Sequence, residues 1–360
     1  MSKNANLDKV DIDFYDDSKK TIIDKDSIII FQSMTPWSIF PNLVIDKSTK
    51  VFFWTCHPFN FIPSHYGTKF IMNFLLNSYK KKSQRFVKYL DNSKGLVFMD
   101  NECLHTTEAM LKMKINDPQY LSIPSSHTNL VKNMQHSNEN NKDLHLTWIG
   151  RIVDFKYNIL IKLIEDLDDV CKKNHLKIKL TIIGEGELLK KLLYEIHKIS
   201  SYKIEHINYL REESISKMLI NETDILFAMG TSALDGAKFG TPTVLMDIAY
   251  KKVGKNYTYK WLFERDGRTL GENIEKIEYI SHGADSLEYL IKNFISDKTF
   301  YHTMTLKYFK KNHDINTISD DLVKVINKAN SSWGDILDQG YLKRGLIYPM
   351  IKNYRSIFKI

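Results

Sequence analysis

The sequence predicts an α/β protein of two doubly wound lobes, and three observations carry that expectation. The 360 residues exceed what one ordinary core holds, and divide naturally into two domains of roughly 150 to 180 residues. Short apolar runs alternate with longer helical patterns, as in strand-helix units that build a parallel sheet. The composition, 43% apolar and 26% charged with 15 Gly and 8 Pro, is that of a folded globular chain and excludes disordered and collagen-like order.

In the first half the predicted strands are Ser27–Gln32, Lys50–Thr55, Gly95–Met99 and a weaker Tyr120–Ile123, with helices between them. The polar stretch His136–Asp143 (HSNENNKD) lacks apolar periodicity and is the best linker. A cleaner series follows: strand His145–Ile149, helix Tyr157–Lys173, strand Lys179–Ile183, helix Glu187–Ser200 and strand Ile204–Tyr209. Helix Glu212–Asn221, strand Asp224–Ala228, helix Ser232–Phe239 and strand Thr243–Met246 complete it, and the chain from about Ser286 is helical. The expected division is residues 1–140 as a first lobe, 141–335 as a second, and 336–360 as a basic C-terminal helix that crosses back.

The formal charge is +8, enough to attract anions but too diffuse to name one. Residues 66–94 combine Lys80, Lys81, Lys82, Arg85 and Lys88 with Phe70, Ile71, Phe74 and Leu75 in a basic amphipathic pattern. The C-terminal segment sets Lys343, Arg344, Lys352, Arg355 and Lys359 among Tyr341, Tyr348, Tyr354 and Phe358. Such segments suit either an anionic membrane surface or a solvated helix face. No nucleic-acid motif accompanies the charge, so a nucleic-acid partner is not expected. No run of eighteen uncharged apolar residues and no signal-like start is present, and Cys56, Cys103 and Cys171 lie far apart without metal-like spacing. A cytoplasmic protein, peripheral to the membrane at most, is the expectation.

Chemistry concentrates at strand ends of the second half. LTWI runs into Gly150-Arg151-Ile152-Val153-Asp154-Phe155-Lys156. Gly150 lets backbone approach a ligand, Arg151 offers a planar fork for paired phosphate oxygens, and Lys156 adds a mobile cation. The next strand ends in Gly184-Glu185-Gly186-Glu187, which lacks the third glycine of a dinucleotide fingerprint. It suits a tight turn with Glu187 in a first helical turn, and leaves Glu185 on the ligand-facing rim. The third end, Met229-Gly230-Thr231-Ser232-Ala233-Leu234-Asp235, offers a glycine hinge, Thr231 or Ser232 as a helix cap, and amides for one phosphate. Asp235 either accepts from a ribose diol or complements the helix dipole.

Residues 145–250, through WIGRIVDFK, LTIIGEGELLKKL and DILFAMGTSALDGAKFGTPTVLMD, resemble the donor-binding half of GT-B glycosyltransferases, most closely glycosyltransferase family 4. The resemblance implies two Rossmann-like domains facing each other across a cleft. It implies that Arg151 and Lys156 hold a nucleotide diphosphate, that Asp235 holds the ribose, and that Tyr209 and Leu210 face the nucleobase. It also implies that Gly150, Glu185, Gly230, Thr231 and Ser232 complete the donor site. The family pattern has two glutamates separated by seven residues; here the second is Asp235 and the first position is Phe227. In the first half, Thr55-Cys56-His57-Pro58 occupies a strand end where the family often has a His facing the transferred sugar. His57 is therefore either catalytic or structural. Pro58, Phe59, Phe61 and Pro63 suit a sugar-stacking wall or a core, and Glu102 and His105 are second-line candidates.

The expected function is transfer of a sugar from a nucleotide diphosphate donor, a UDP-sugar foremost, to a glycan or lipid-linked acceptor. The setting implied by the resemblance is bacterial surface polysaccharide or lipopolysaccharide synthesis. Arg151, Lys156 and the amides near Gly230 would stabilise the departing diphosphate. With no convincing Asp-x-Asp site or His/Cys cluster in the sequence, no metal and no cofactor is expected, and retention follows from the resemblance alone. The rivals are a GT-B epimerase or phosphorylase and a non-catalytic nucleotide or glycan binding module.

Overall fold

The computed structural model describes residues 18–32, 42–57, 61, 71–126, 143–266, 268–275 and 285–341, with backbone alone for 71–79. The chain forms two compact units. The first comprises residues up to Met99, Cys103–Tyr120 and Lys324 onward; the second comprises Asp100–Glu102 and Leu121–Val323. Of the linker expected at His136–Asp143, residues 136–142 lie outside the described residues, as do the segment 342–360 and Pro58, Phe59 and Pro63, while Asp143 is already strand.

In the first unit, strands β2 (Ile28–Phe31), β4 (Lys50–Thr55), β5 (Leu96–Phe98) and β6 (Gln119–Tyr120) form a parallel sheet in that order. Strands β1 (Thr21–Ile22) and β3 (Leu43–Val44) add a small parallel pair that the sequence did not announce. Two residues each are too few for an alternation to register. Helices α1 (Ile71–Asn92) and α2 (Asn101–Leu111) follow β4 and β5. Val51 and Phe53 share a core with Phe86, Leu90, Phe98, Leu104 and Trp333. Phe61 belongs to that core, 6.2 Å from Phe53 and 6.4 Å from Phe86 between ring centroids. Of the aromatic wall considered above, this member is packing rather than a sugar platform. In α1, Lys81 is exposed while Lys82 is half-buried, and burial lowers its ammonium below the usual range. The lysine run therefore does not lie on one solvated face.

The second unit is built on β7 (Asp143–Ile149), β8 (Lys177–Ile183), β9 (Lys203–Ile207), β10 (Ile225–Ala228) and β11 (Thr243–Leu245). All pairings are parallel and the order is β11-β10-β7-β8-β9. Helices α3 (Asp154–Asn174) and α4 (Leu189–Ile196) connect the strands on one side of the reversal. Helices α5 (Glu212–Asn221) and α6 (Thr231–Ala237) connect those on the other.

Strand chemistry explains the layering. Leu146, Trp148, Leu180, Ile182, Ile225 and Phe227 point into a core with α3 residues such as Leu160 and Leu163. Ile149, Ile183, Leu226 and Ala228 point into a second core with Leu219, Ala233 and Ala237. Strands buried on both faces read as near-continuous apolar runs, which is why the series from β7 to β11 was legible. Helices α7 (Leu287–Ser296), α8 (Lys298–Asn312) and α9 (Ile315–Lys328) follow, the last leading to α10 (Trp333–Asp338) in the first unit. No helix among the described residues is long and apolar enough to cross a membrane.

Candidate functional site

Strand order in the second unit reverses between β7 and β10: the chain builds outward from β7 through β8 to β9, then returns to place β10 on the other side. Ligands of open α/β sheets bind beyond the carboxyl ends of strands at such a reversal. Gly150 follows β7 and Gly230 follows the Ala228-Met229 end of β10, so the two predicted anion-binding turns flank it.

At Gly150 a side chain would begin 3.3 Å from Lys156 Nζ and 3.5 Å from Trp148 Nε1. The absence of a side chain is therefore what gives the Lys156 ammonium its place. Burial, reinforced by the Arg151 guanidinium, pulls the Lys156 ammonium down to about 8. Among the described residues no carboxylate pairs with Arg151 or Lys156. The Trp148 indole N–H is buried without an acceptor among them as well. A half-buried ammonium beside the exposed Arg151 guanidinium, and an orphaned buried donor, are both costly, and an anion would relieve them.

The β7 and β8 ends are fastened together by backbone. Gly150 donates to the Ile183 carbonyl at 3.0 Å, Ile152 to Glu185 at 2.9 Å, and Leu188 to Ile152 at 3.1 Å. Gly184 adopts a φ of 149°, and a side chain there would collide with the Gly150 carbonyl. Its carbonyl accepts from or faces His206 Nε2 at 2.8 Å. Glu185 is exposed on the same rim. Helix α4 begins at Leu189, so Glu187 lies before it rather than in its first turn. Gly184 and Gly186, both at positive φ, form a turn between strand and helix that delays the start that apolar periodicity suggested.

Helix α6 corrects a second expectation. Its N-cap is Gly230, at φ 65°, with no side-chain cap, and Thr231 and Ser232 are already helical. Thr231 is exposed and Ser232 half-buried. The left-handed angle favours glycine over the hydroxyl residues that would otherwise cap. Behind it, Gly236 lets α6 lie directly against Leu226 and Thr243.

This close packing places Asp235 in a pocket of about 280 Å³ lined by Tyr209, Leu210, Glu212, Ile215, Ser216, Asp235, Lys238 and Phe239. Tyr209, after β9, is 73% exposed and presents an open ring. Burial raises the Asp235 carboxyl, Lys238 at 3.3 Å lowers it, and Glu212 raises it again. The pocket thus unites Tyr209, Leu210 and Asp235, while Gly150, Arg151 and Lys156 follow β7, which lies between β9 and β10 in the sheet, at the same carboxyl end. Glu212, Lys238 and Phe239 were not singled out from sequence. Glu212 looks like an ordinary acidic first helical turn, and Lys238 like a solvated lysine.

In the first unit His57 lies two residues beyond β4, exposed, with its imidazole lowered by the surrounding protein. Glu102 and His105 stand on α2, half-buried and exposed. Phe227 is fully buried and meets Tyr259 edge-on at 6.4 Å. The place of the family's first glutamate is therefore core, and no side chain there reaches a ligand. Among the described residues no group of three His, Cys, Asp or Glu is placed to hold a metal ion.

No family model matches the sequence, and no curated protein does. Solved structures do match by shape. TarM superposes with a TM-score of 0.51 and 16% identity over 89% of this chain. The chain spans 57% of TarM's length. A trehalose-6-phosphate synthase studied with bisubstrate glycomimetics gives 0.50 and 11% identity, covering 85% of this chain and 74% of that one. The trehalose-6-phosphate synthase of Burkholderia multivorans gives 0.50 and 10%, covering 85% and 72%. The chain has the GT-B fold. The sheet reversal and its strand-end glycines sit in the second unit of that fold, as the resemblance implied.

Proposed function

We propose that the protein is a glycosyltransferase whose second unit binds a nucleotide diphosphate sugar. One observation carries the reading: Arg151 and Lys156 adjoin Gly150 without a counter-charge among the described residues, at the same end of the sheet as a pocket that holds Asp235 and Tyr209. The first place suits a pyrophosphate and the second a nucleoside, the ring of Tyr209 against the base and Asp235 accepting from the ribose hydroxyls. A UDP-sugar is the proposed donor, and a glycan or lipid-linked acceptor is the proposed partner, in bacterial surface polysaccharide or lipopolysaccharide synthesis.

The chemistry follows from where charge develops. As the bond from the anomeric carbon to the β-phosphate breaks, the ring becomes cationic and the diphosphate gains negative charge. Arg151 and Lys156 stabilise that charge in a site already partly stripped of water. His57 is the proposed catalytic group of the first unit, its neutral imidazole polarising a sugar hydroxyl. Retention, described for the trehalose-6-phosphate synthase above, is the proposed outcome, with the released phosphate oxygen taking the acceptor's proton.

The test is calorimetric binding of UDP and GDP, followed by release of the nucleotide from a panel of donors with and without glycan acceptors. Binding that Arg151→Ala and Lys156→Ala both weaken supports the reading; affinity unchanged in both refutes it. The second reading, a nucleotide-binding module without transfer, is favoured by Phe227 standing in the core where the family has a glutamate. Tight nucleotide binding with no release from any donor would decide for it.

A further inference from the structure

We propose that Lys238 is a positioning residue of the pocket, holding the Asp235 side chain in place as a hydrogen-bond acceptor for ribose hydroxyls. The inference rests on the nucleoside reading of that pocket. The two residues stand one turn apart on α6 and its C-terminal cap, with Nζ 3.3 Å from Oδ1. Their surroundings differ sharply: the Lys238 side chain is 7% exposed and that of Asp235 43%. Both residues line the pocket, the lysine side chain buried and the aspartate half-exposed. The ring of Phe239, 5.1 Å from Nζ, covers the cation, and among the described residues Asp235 is its only carboxylate partner.

Two charged groups of the pocket act on Asp235: Lys238, and Glu212 from α5. Burial and Glu212 favour the protonated acid, and Lys238 alone opposes them. An exposed pair at this spacing would matter little, but an enclosed cation with one partner governs that partner's charge state. Removing the ammonium therefore leaves the pocket's shape while letting Asp235 take up a proton at higher pH. Protonated Asp235 loses much of its capacity to accept from the diol.

The experiment measures UDP and 2′-deoxy-UDP binding to the full chain from pH 5.5 to 7.5, each variant taken as a ratio to wild type so that the ligand's own titration cancels. Wild type is expected to prefer UDP by about tenfold across the range. In K238M that preference falls below wild type's as the pH is lowered, K238R restores it, and D235N lacks it throughout. A carbon NMR titration of the Asp235 carboxyl in the free protein, assigned with D235N, moves upward in K238M. K238Q serves the same comparison if K238M does not fold. A K238M profile parallel to wild type, or an unmoved carboxyl titration, overturns the inference. Wild type that binds neither nucleotide overturns the nucleoside reading instead, and the carboxyl titration still reports on the pair.

Discussion

The Lys156 ammonium lies across the α-carbon of Gly150, 3.3 Å from where a side chain there would start. A cation held against backbone, with Arg151 beside it and its affinity for protons brought down to about 8, destabilises the free protein. By the proton linkage the cost is on the order of 3 kcal/mol. Lys156→Met is expected to raise the melting temperature of the ligand-free protein by several degrees. The same change should weaken UDP binding at least about tenfold. Scanning calorimetry and titration of one preparation check both; a lower melting temperature would mean that the lysine supports the fold.

The same group sets a pH dependence. Diphosphate binds the protonated amine, so affinity is expected to hold below about 8 and fall by up to about tenfold per pH unit above it. Stability of the free protein runs the other way. Between about 8 and the ordinary lysine range the unfolded chain binds more protons at this position, so stability rises with pH there. Calorimetry in buffers of different ionisation enthalpy should register proton uptake on binding near pH 8, and Lys156→Met should abolish it.

Gly184 fastens two strand ends at a φ that side chains rarely adopt, against the Gly150 carbonyl. Gly184→Ala is expected to cost about 1 to 3 kcal/mol in urea unfolding and to weaken nucleotide binding by displacing Gly150. Stability within a few tenths of a kcal/mol of wild type would show that the turn has slack.

Phe227 fills the core opposite Tyr259. Installing the family's glutamate by Phe227→Glu is expected to unfold the protein or cost more than about 4 kcal/mol, since a carboxylate there has no counter-ion. Phe227→Leu, which keeps the position apolar, should cost about 1 kcal/mol. A stable, more active F227E would place this strand end in the active site.

His57→Ala is expected to lower the transfer rate about 100-fold with UDP affinity unchanged. Equal loss of rate and of melting temperature would assign the histidine to the fold.

The second unit was legible in the sequence because its strands are buried on both faces, so β7, β8, β10 and β11 stand out as apolar runs, the first three leading into glycine. Glu212–Asn221, solvated on one side and packed on the other, was found to the residue. What escaped was set by backbone angle or by long-range packing. Gly230 displaced Thr231 and Ser232 as cap through its positive φ, which periodicity does not register. Lys238 was passed over because burial by Phe239 and pairing with Asp235 exist only once α6 packs on the sheet. In the first unit, β1 and β3 are too short to announce themselves, and Phe61 gave no sign of which of its two roles it fills.

The unmatched charges of Arg151 and Lys156 also bear on turnover. In the proposed role they would grip the diphosphate equally once the sugar has gone, and among the described residues no carboxylate competes for them. Dissociation of the spent nucleotide would then pace the cycle, with that nucleotide acting as an inhibitor competitive against the donor.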